Sequence, residues 1–238
     1  MSKILAFDTA TEKLSAAVAI DGVVTAQFLC SEANQHTERL IAVIDDLLKE
    51  AQVPLAGLDA IAFGAGPGAF TGLRVACGVA QGLGWAADKP LVCVSNLQAT
   101  ARHAAQLGFS GRLLVAHDAR MHECYTAVFD VIREEAEVDV KEVLAPELVK
   151  PADLAEEAEK FSVEAAAGSA FDVYALDIAL PASIKRLPSF ETTASDIALL
   201  ATTLFARGQT TPAQLAAPLY VRNRVALTIE ERRAGQRL

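Results

Sequence analysis

Long apolar runs, closely spaced cysteines and clustered positive charge are all missing from this sequence. No window of its 238 residues holds the uncharged apolar stretch that a membrane span requires. The opening residues, Met1 to Ser15, place Lys3 and Asp8 around a short apolar run without a cleavage-type tail. That pattern reads as a strand and not as a signal peptide. Four cysteines (Cys30, Cys77, Cys93 and Cys124) lie far apart with no CxxC pair. Zinc ribbons and redox dithiols need neighbouring thiols, so neither is supported, and lone cysteines in apolar runs fit core positions in a reducing cytoplasm. The net charge is −9, which argues against broad nucleic-acid binding because phosphate neutralisation needs clustered cations. Only residues 219–238 run the other way. Five arginines (Arg222, Arg224, Arg232, Arg233, Arg237) stand there against Glu230 and Glu231. This basic tail suits contact with RNA or an acidic partner, and equally a solvated chain end.

What is present is a globular α/β pattern, 52% hydrophobic and 21% charged, long enough for one large or two small domains. Lys3 to Phe7, Leu14 to Ile20 and Val23 to Leu29 are short strand-like runs separated by turn signals, hence antiparallel. A helix follows from His36 to Ala51, with Asn34 as N-cap and Leu40, Ile44, Leu47 and Leu48 on one face. Leu58 to Phe63 has the unbroken apolar character of a buried parallel strand. A glycine-rich junction, a helix to Ala87, a strand at Leu91 to Ser95 and a helix from Asn96 to Gln106 complete a βββαβα order. A related order then begins again. Strands fall at Leu113 to His117, Glu123 to Asp130 and Val138 to Leu144, then a helix at Ala152 to Phe161, a strand at Val163 to Ala167 and a helix at Ser195 to Arg207. Between Gly168 and Thr193 the pattern is weak. Two such units predict a duplicated, two-lobed actin-like fold, of the kind shared with Hsp70 and sugar kinases and built from ribonuclease-H-like halves. The expected divisions are 1–108 for the first lobe, 109–218 for the second and 219–238 for the tail.

Fold alone does not give function, so the candidate sites are weighed separately. Residues 64–74 read Gly-Ala-Gly-Pro-Gly-Ala-Phe-Thr-Gly-Leu-Arg, joining a strand to a helix. Backbone N–H groups at a helix start suit an anion. Yet there is no GK[ST], and Thr71 replaces the third glycine of a dinucleotide fingerprint. Gly72, Ala76, Ala80 and Gly84 recur every four residues, with Gly78 and Gly82 nearby. Each mid-helix glycine costs about 1 kcal/mol relative to alanine, which calls for close approach of another backbone. That backbone belongs either to the chain's own fold or to another chain. Asp8 and Thr9 sit at the first turn, where kinases of this fold contact nucleotide, but Ala10 and Leu14 replace the glycine and polar residues such loops use. An ordinary turn explains the run. His36 has Leu40 at i+4, so a helical metal pair is not formed. Asp118-Ala119-Arg120-Met121-His122-Glu123 reads as a charged hairpin tip. There is no GxSxG elbow.

Five runs carry a resemblance to a known family. They are Ile4 to Thr9, Gln35 to Leu40, Gly66 to Arg74, Asp118 to Tyr125 and Pro218 to Ala226, in the same order and across nearly the whole chain. They resemble the bacterial TsaB (YeaZ) family, the Gly-Pro-Gly-x-Phe-Thr-Gly-Leu-Arg run being the most specific. Ala69 stands where the family often has serine, and His122-Glu123-Cys124 varies a commoner Gly-Glu-Val. The resemblance implies a non-catalytic scaffold and activator of the paralogous TsaD. TsaD transfers threonylcarbamoyl from its adenylate to N6 of the adenosine 3′ to the anticodon, in tRNAs reading codons that begin with adenine. It further implies TsaE as a partner through TsaD, only indirect contact with tRNA, a homodimer when TsaD is absent, and no cofactor. TsaD carries an HxxxH metal motif that His36 and Leu40 do not reproduce. The implied docking face comprises His36, Leu40, Ile44, Leu47, Gly72, Arg74, Val75, Ala76, Val79 and Ala80. The competing expectation is an ATP-dependent kinase or hydrolase using Asp8 and Thr9.

Overall fold

Apolar residues on both faces of the first two strands let them sit inside a sheet covered on each side. In the computed structural model β1 (Lys3–Asp8) directs Leu5 and Phe7 to one face and Ile4 and Ala6 to the other, all fully buried. The model describes residues 1–11, 13–30, 36–134, 137–190 and 192–222, with the backbone alone at 36–38. Strands β2 (Leu14–Ile20) and β3 (Val23–Cys30) pair antiparallel outward from β1. After α1 (His36–Glu50), β4 (Ala60–Gly66) pairs parallel on the other side of β1. The helix α2 (Phe70–Ala87) then leads to β5 (Leu91–Ser95), parallel to β4, giving the order β3-β2-β1-β4-β5.

The second sheet repeats the scheme with shorter crossovers. Following α3 (Asn96–Gln106) come β6 (Gly111–Asp118), β7 (Cys124–Glu134) and β8 (Glu137–Val149), paired antiparallel. Next are α4 (Leu154–Lys160), β9 (Ala165–Ala167), α5 (Ala170–Val173), β10 (Lys185–Arg186) and α6 (Ala194–Ala206). The sheet order is β10-β9-β6-β7-β8. The weakly patterned stretch after Gly168 thus holds one short helix and a two-residue strand, too brief for any periodicity to register. The fourth strand starts at Ala60, two residues later than expected, because Leu55–Gly57 forms a 3-10 turn. The helix expected at Ala152–Phe161 begins instead as a 3-10 turn at Pro151–Asp153. The predicted N-cap Asn34 lies outside the described residues.

Helix placement departs from the linear division at residue 108. The helix α6 packs on the first sheet, through Ile197, Ala198, Leu200 and Ala201 against Ile4, Ala6, Ala17 and Ala62. Conversely α3 buries Leu97, Ala101, Ala104 and Ala105 against Leu113, Val115, Ala127 and Phe129 of the second sheet. A cut between 108 and 109 therefore follows the strands but not the helices. The two units exchange one helix each, and α3 and α6 touch between the sheets. The layers run α1 with α2, first sheet, α6 with α3, second sheet, α4 with α5. Alanine-rich inner faces on α3 and α6 suit this middle layer, since small side chains let a helix lie close to a sheet.

Candidate functional site

The glycine-rich segment after β4 does not stand open as a cradle; it is pressed onto the first turn of the chain. A Cβ at Gly72 would lie 1.7 Å from the Thr9 carbonyl oxygen, and one at Gly68 would lie 2.7 Å from both Cβ and O of Ala10. Only the missing side chains allow this contact. It is pinned by three hydrogen bonds: Thr9 Oγ1 donates to Gly72 O (2.7 Å), Ala69 N to Ala10 O (2.7 Å) and Ala10 N to Asp8 Oδ1 (2.9 Å). Asp8 is buried; its other oxygen accepts from Asn96 Nδ2 at 2.9 Å, while Asn96 Oδ1 accepts from Gly66 N at 2.8 Å. Burial raises the Asp8 pKa, opposed by the hydrogen bonds from Ala10 and Asn96. Asp8 is thus engaged in tying β1, β4 and α3 together. The expected nucleotide-contact residues Asp8 and Thr9 are brought together, but as interior links of this joint.

Helix α2 has two different glycine faces. Ala76, Ala80 and Gly84 are buried with Leu73 and Cys77 against the chain's own sheet, and Gly84 meets Leu91, Lys89 and Ala213. On the outward face Gly78 and Gly82 have nothing within 4 Å of where a Cβ would stand. Beside them lie exposed Phe70, Arg74 and Trp85, the last 74% exposed. Arg74 is the helix's one charged residue. The expected interface residues accordingly divide. Leu40, Ile44, Leu47, Ala76 and Ala80 are core residues, and Gly72 is occupied by Thr9. Arg74 is exposed, and Val75 and Val79 are half-buried beside the open glycines. The backbone of His36 opens α1, and its side chain lies outside the described residues. The pattern of every fourth small residue lies on the inward side of α2. Spacing alone does not say which stripe faces the sheet.

At the start of α2 a second feature, overlapping the edge of the basic tail and the resembling run at Pro218 to Ala226, is a packed strap. Leu219 N donates to Ala65 O at 2.7 Å, and Gln81 Nε2 donates to Ala216 O at 3.0 Å. Arg74 Nε donates to Tyr220 OH at 3.1 Å, with the guanidinium 3.7 Å above the Phe70 ring. Further along the strap the Arg222 side chain pairs with Glu123 at 2.8 Å in the second sheet's β6–β7 loop. The remaining tail arginines lie outside the described residues.

That loop is strained. Arg120, Met121 and His122 all have positive φ, 61°, 56° and 57°. A left-handed conformation costs about 1–2 kcal/mol for each such residue, so three in succession need external support. Tyr174 OH donates to Asp118 Oδ1 at 2.7 Å, and the His122 ring stands edge-on to Tyr174 at 5.1 Å. The charged tip is an organised, ion-paired loop, Arg120 lying 3.2 Å from Asp118 and Glu123 paired with Arg222.

Nearby, His117 is held neutral. Its Nδ1 faces the Ser169 N–H at 3.3 Å and the Ser169 hydroxyl at 3.2 Å, so Nδ1 is the acceptor and the proton sits on Nε2, donating to Thr100 Oγ1 at 2.8 Å. Desolvation pushes its pKa down to about 4. A second ring proton would also point at two donors. Among the described residues no group of three or more His, Cys, Asp or Glu side chains is placed to hold a metal ion. No described helix is long and apolar enough to cross a membrane.

Two mixed five-stranded sheets, each antiparallel at one edge and parallel at the other, with exchanged middle helices define a two-lobed actin-like fold. The family model for "TsaD: tRNA N6-adenosine threonylcarbamoyltransferase" matches residues 26–233. The tRNA threonylcarbamoyladenosine biosynthesis protein TsaB of Escherichia coli is 35% identical over 94% of this chain and 96% of that protein. The TsaB of Haemophilus influenzae is 41% identical over 58% of each chain. A solved structure titled YeaZ from Pseudomonas aeruginosa superposes with a TM-score of 0.79, at 34% identity over 92% of this chain and all of that one. The chain belongs to the TsaB (YeaZ) family.

Two measurements check this geometry. Gly72→Ala should destabilise the protein by about 3 kcal/mol or more in urea unfolding, since the methyl has no room. Gly78→Ala on the open face should stabilise it by up to about 1 kcal/mol. For His117, the unfolded ring titrates near 6.5 and the folded ring near 4. Its contribution is therefore constant above pH 6.5 and is lost as pH falls, because the unfolded state gains the proton first. Wild type should lose roughly 2 kcal/mol more than His117→Asn between pH 7 and pH 5 by chemical denaturation.

Proposed function

We propose that this chain is a non-catalytic scaffold and activator of TsaD. It takes part in tRNA threonylcarbamoyladenosine biosynthesis, as its family relatives are named. In the proposed role TsaD transfers threonylcarbamoyl from threonylcarbamoyl-AMP to N6 of the adenosine 3′ to the anticodon, in tRNAs reading codons that begin with A. This chain binds TsaD in the cytoplasm, meets TsaE through that complex, contacts tRNA only indirectly and pairs with itself when TsaD is absent. No cofactor is part of the reading. The domain reading that goes with it keeps 1–108 as the docking lobe and 109–218 as the second lobe, with α3 and α6 exchanged.

The observation that carries the proposal is the outward face of α2. Gly72 and Gly84 are accounted for by contacts inside the chain, but Gly78 and Gly82 are not. Each costs the helix about 1 kcal/mol relative to alanine with no return inside the monomer. Bare backbone on an almost uncharged helix face is what close helix-to-helix docking needs, with Phe70 and Trp85 as aromatic anchors at either end. The commitment of Asp8 to Asn96 and Ala10 counts against its use as a magnesium-binding carboxylate in a kinase or hydrolase.

The test replaces Gly82 or Gly78 by leucine. The monomer should keep or slightly raise its melting temperature, since the positions are open and leucine favours a helix more than glycine does. Affinity for TsaD should fall by about a hundredfold, equivalent to about 2.7 kcal/mol, with a matching loss in a reconstituted tRNA-modification assay. Undiminished co-purification with TsaD would remove α2 from the interface.

A further inference from the structure

We propose that the strap from Ala216 to Arg222 is a latch between the two lobes, through which the docking end of α2 holds the strained β6–β7 loop in shape. Its coupling to partner binding rests on the docking reading above; the latch itself does not.

Both ends of the strap are anchored. On the first lobe Ala216 O accepts from Gln81, Leu219 N donates to Ala65 O, and Tyr220 closes over Arg74 and Phe70, with ring centroids of Tyr220 and Phe70 5.8 Å apart. On the second lobe the connection is made, among the described residues, through Arg222. Its Nη2 donates to Ala119 O at 2.9 Å and Arg120 O at 3.4 Å, pairs with Glu123 at 2.8 Å, and the guanidinium lies against Met121. The Arg222 side chain is only 10% exposed. One buried guanidinium thus engages both carbonyls and the carboxylate of a loop whose three central residues are left-handed.

Left-handed non-glycine residues persist only where their surroundings over-determine them. Within the loop, Arg120 N donates to Asp118 Oδ1, Ala119 N to Glu123 O and Glu123 N to Arg120 O. These bonds close the turn upon itself, and Arg222 supplies a positive charge at the one place where its carbonyls point together. Removing that charge leaves the strain without its counterweight. The loop then opens, and the strap loses the fastening to the second lobe that Arg222 provides. Tyr220 and Phe70 are the exposed residues at the other end, 46% and 47% accessible, so a partner seated on α2 presses on the same strap.

Hydrogen exchange on the full chain tests the latch. Arg222→Ala should speed exchange of the 119–123 amides by about tenfold while leaving α2 and the first sheet unchanged. Tyr220→Ala, which does not touch the loop, should raise exchange there by a smaller factor by loosening the strap. Glu123→Gln removes only the ion pair and gives a milder opening should Arg222→Ala fail to fold. Unaltered exchange at 119–123 in Arg222→Ala, or in Glu123→Gln where that is the folded variant, overturns the latch. A response to Arg222→Ala but none to Tyr220→Ala overturns the transmission from α2. Saturating TsaD should slow exchange of the same amides in wild type. Bound TsaD without that slowing overturns the coupling, whereas no binding of TsaD overturns the docking reading and leaves the latch measured in the free chain.

Discussion

The seating of the Thr9–Ala10 backbone on Gly68 and Gly72 is the contact on which the rest of the first lobe depends. It sets the distance between β1 and the start of α2, and through Asp8 and Asn96 it fixes β4 and α3 as well. No side chain larger than hydrogen fits at Gly72, so the joint is dictated by backbone shape and not by chemistry that could vary. The chain's own glycine-rich segment fills the space beside the first turn, and the Asp8 carboxylate is committed inward.

Once that joint is made, α2 has no choice of orientation. Leu73, Ala76, Cys77, Ala80 and Gly84 are drawn to the sheet, which turns Arg74, Gly78, Gly82 and Trp85 outward. The helix therefore serves twice. Its inner small residues let it lie close to its sheet, and its outer glycines leave a smooth strip of backbone beside two aromatic rings. The strap then joins this strip to the second lobe without passing through the middle layer of α3 and α6.

Much of the fold was legible from residues alone. The turn signals between the first three strands and the apolar run ending at Phe63 each act within a few residues, so local chemistry decides them. What was not legible depended on contacts between distant segments. That α6 returns to the first sheet follows from which alanine-rich face meets which sheet, and Leu40, Ile44 and Leu47 are spent on the core because α1 lies on β2 and β3. The His117 network and the Arg222 latch join residues far apart in sequence, and no spacing pattern announces either.

The glycines of α2 show where that division lies. Sequence by itself established that this helix carries more glycine than its stability warrants, and hence that something must lie against it; the cost is a property of the backbone. Only the tertiary structure decided which glycines answer to the chain's own first turn and strands and which remain uncovered. The reason is that burial is assigned by the sheet a helix packs on, and every fourth residue looks alike until that sheet is in place.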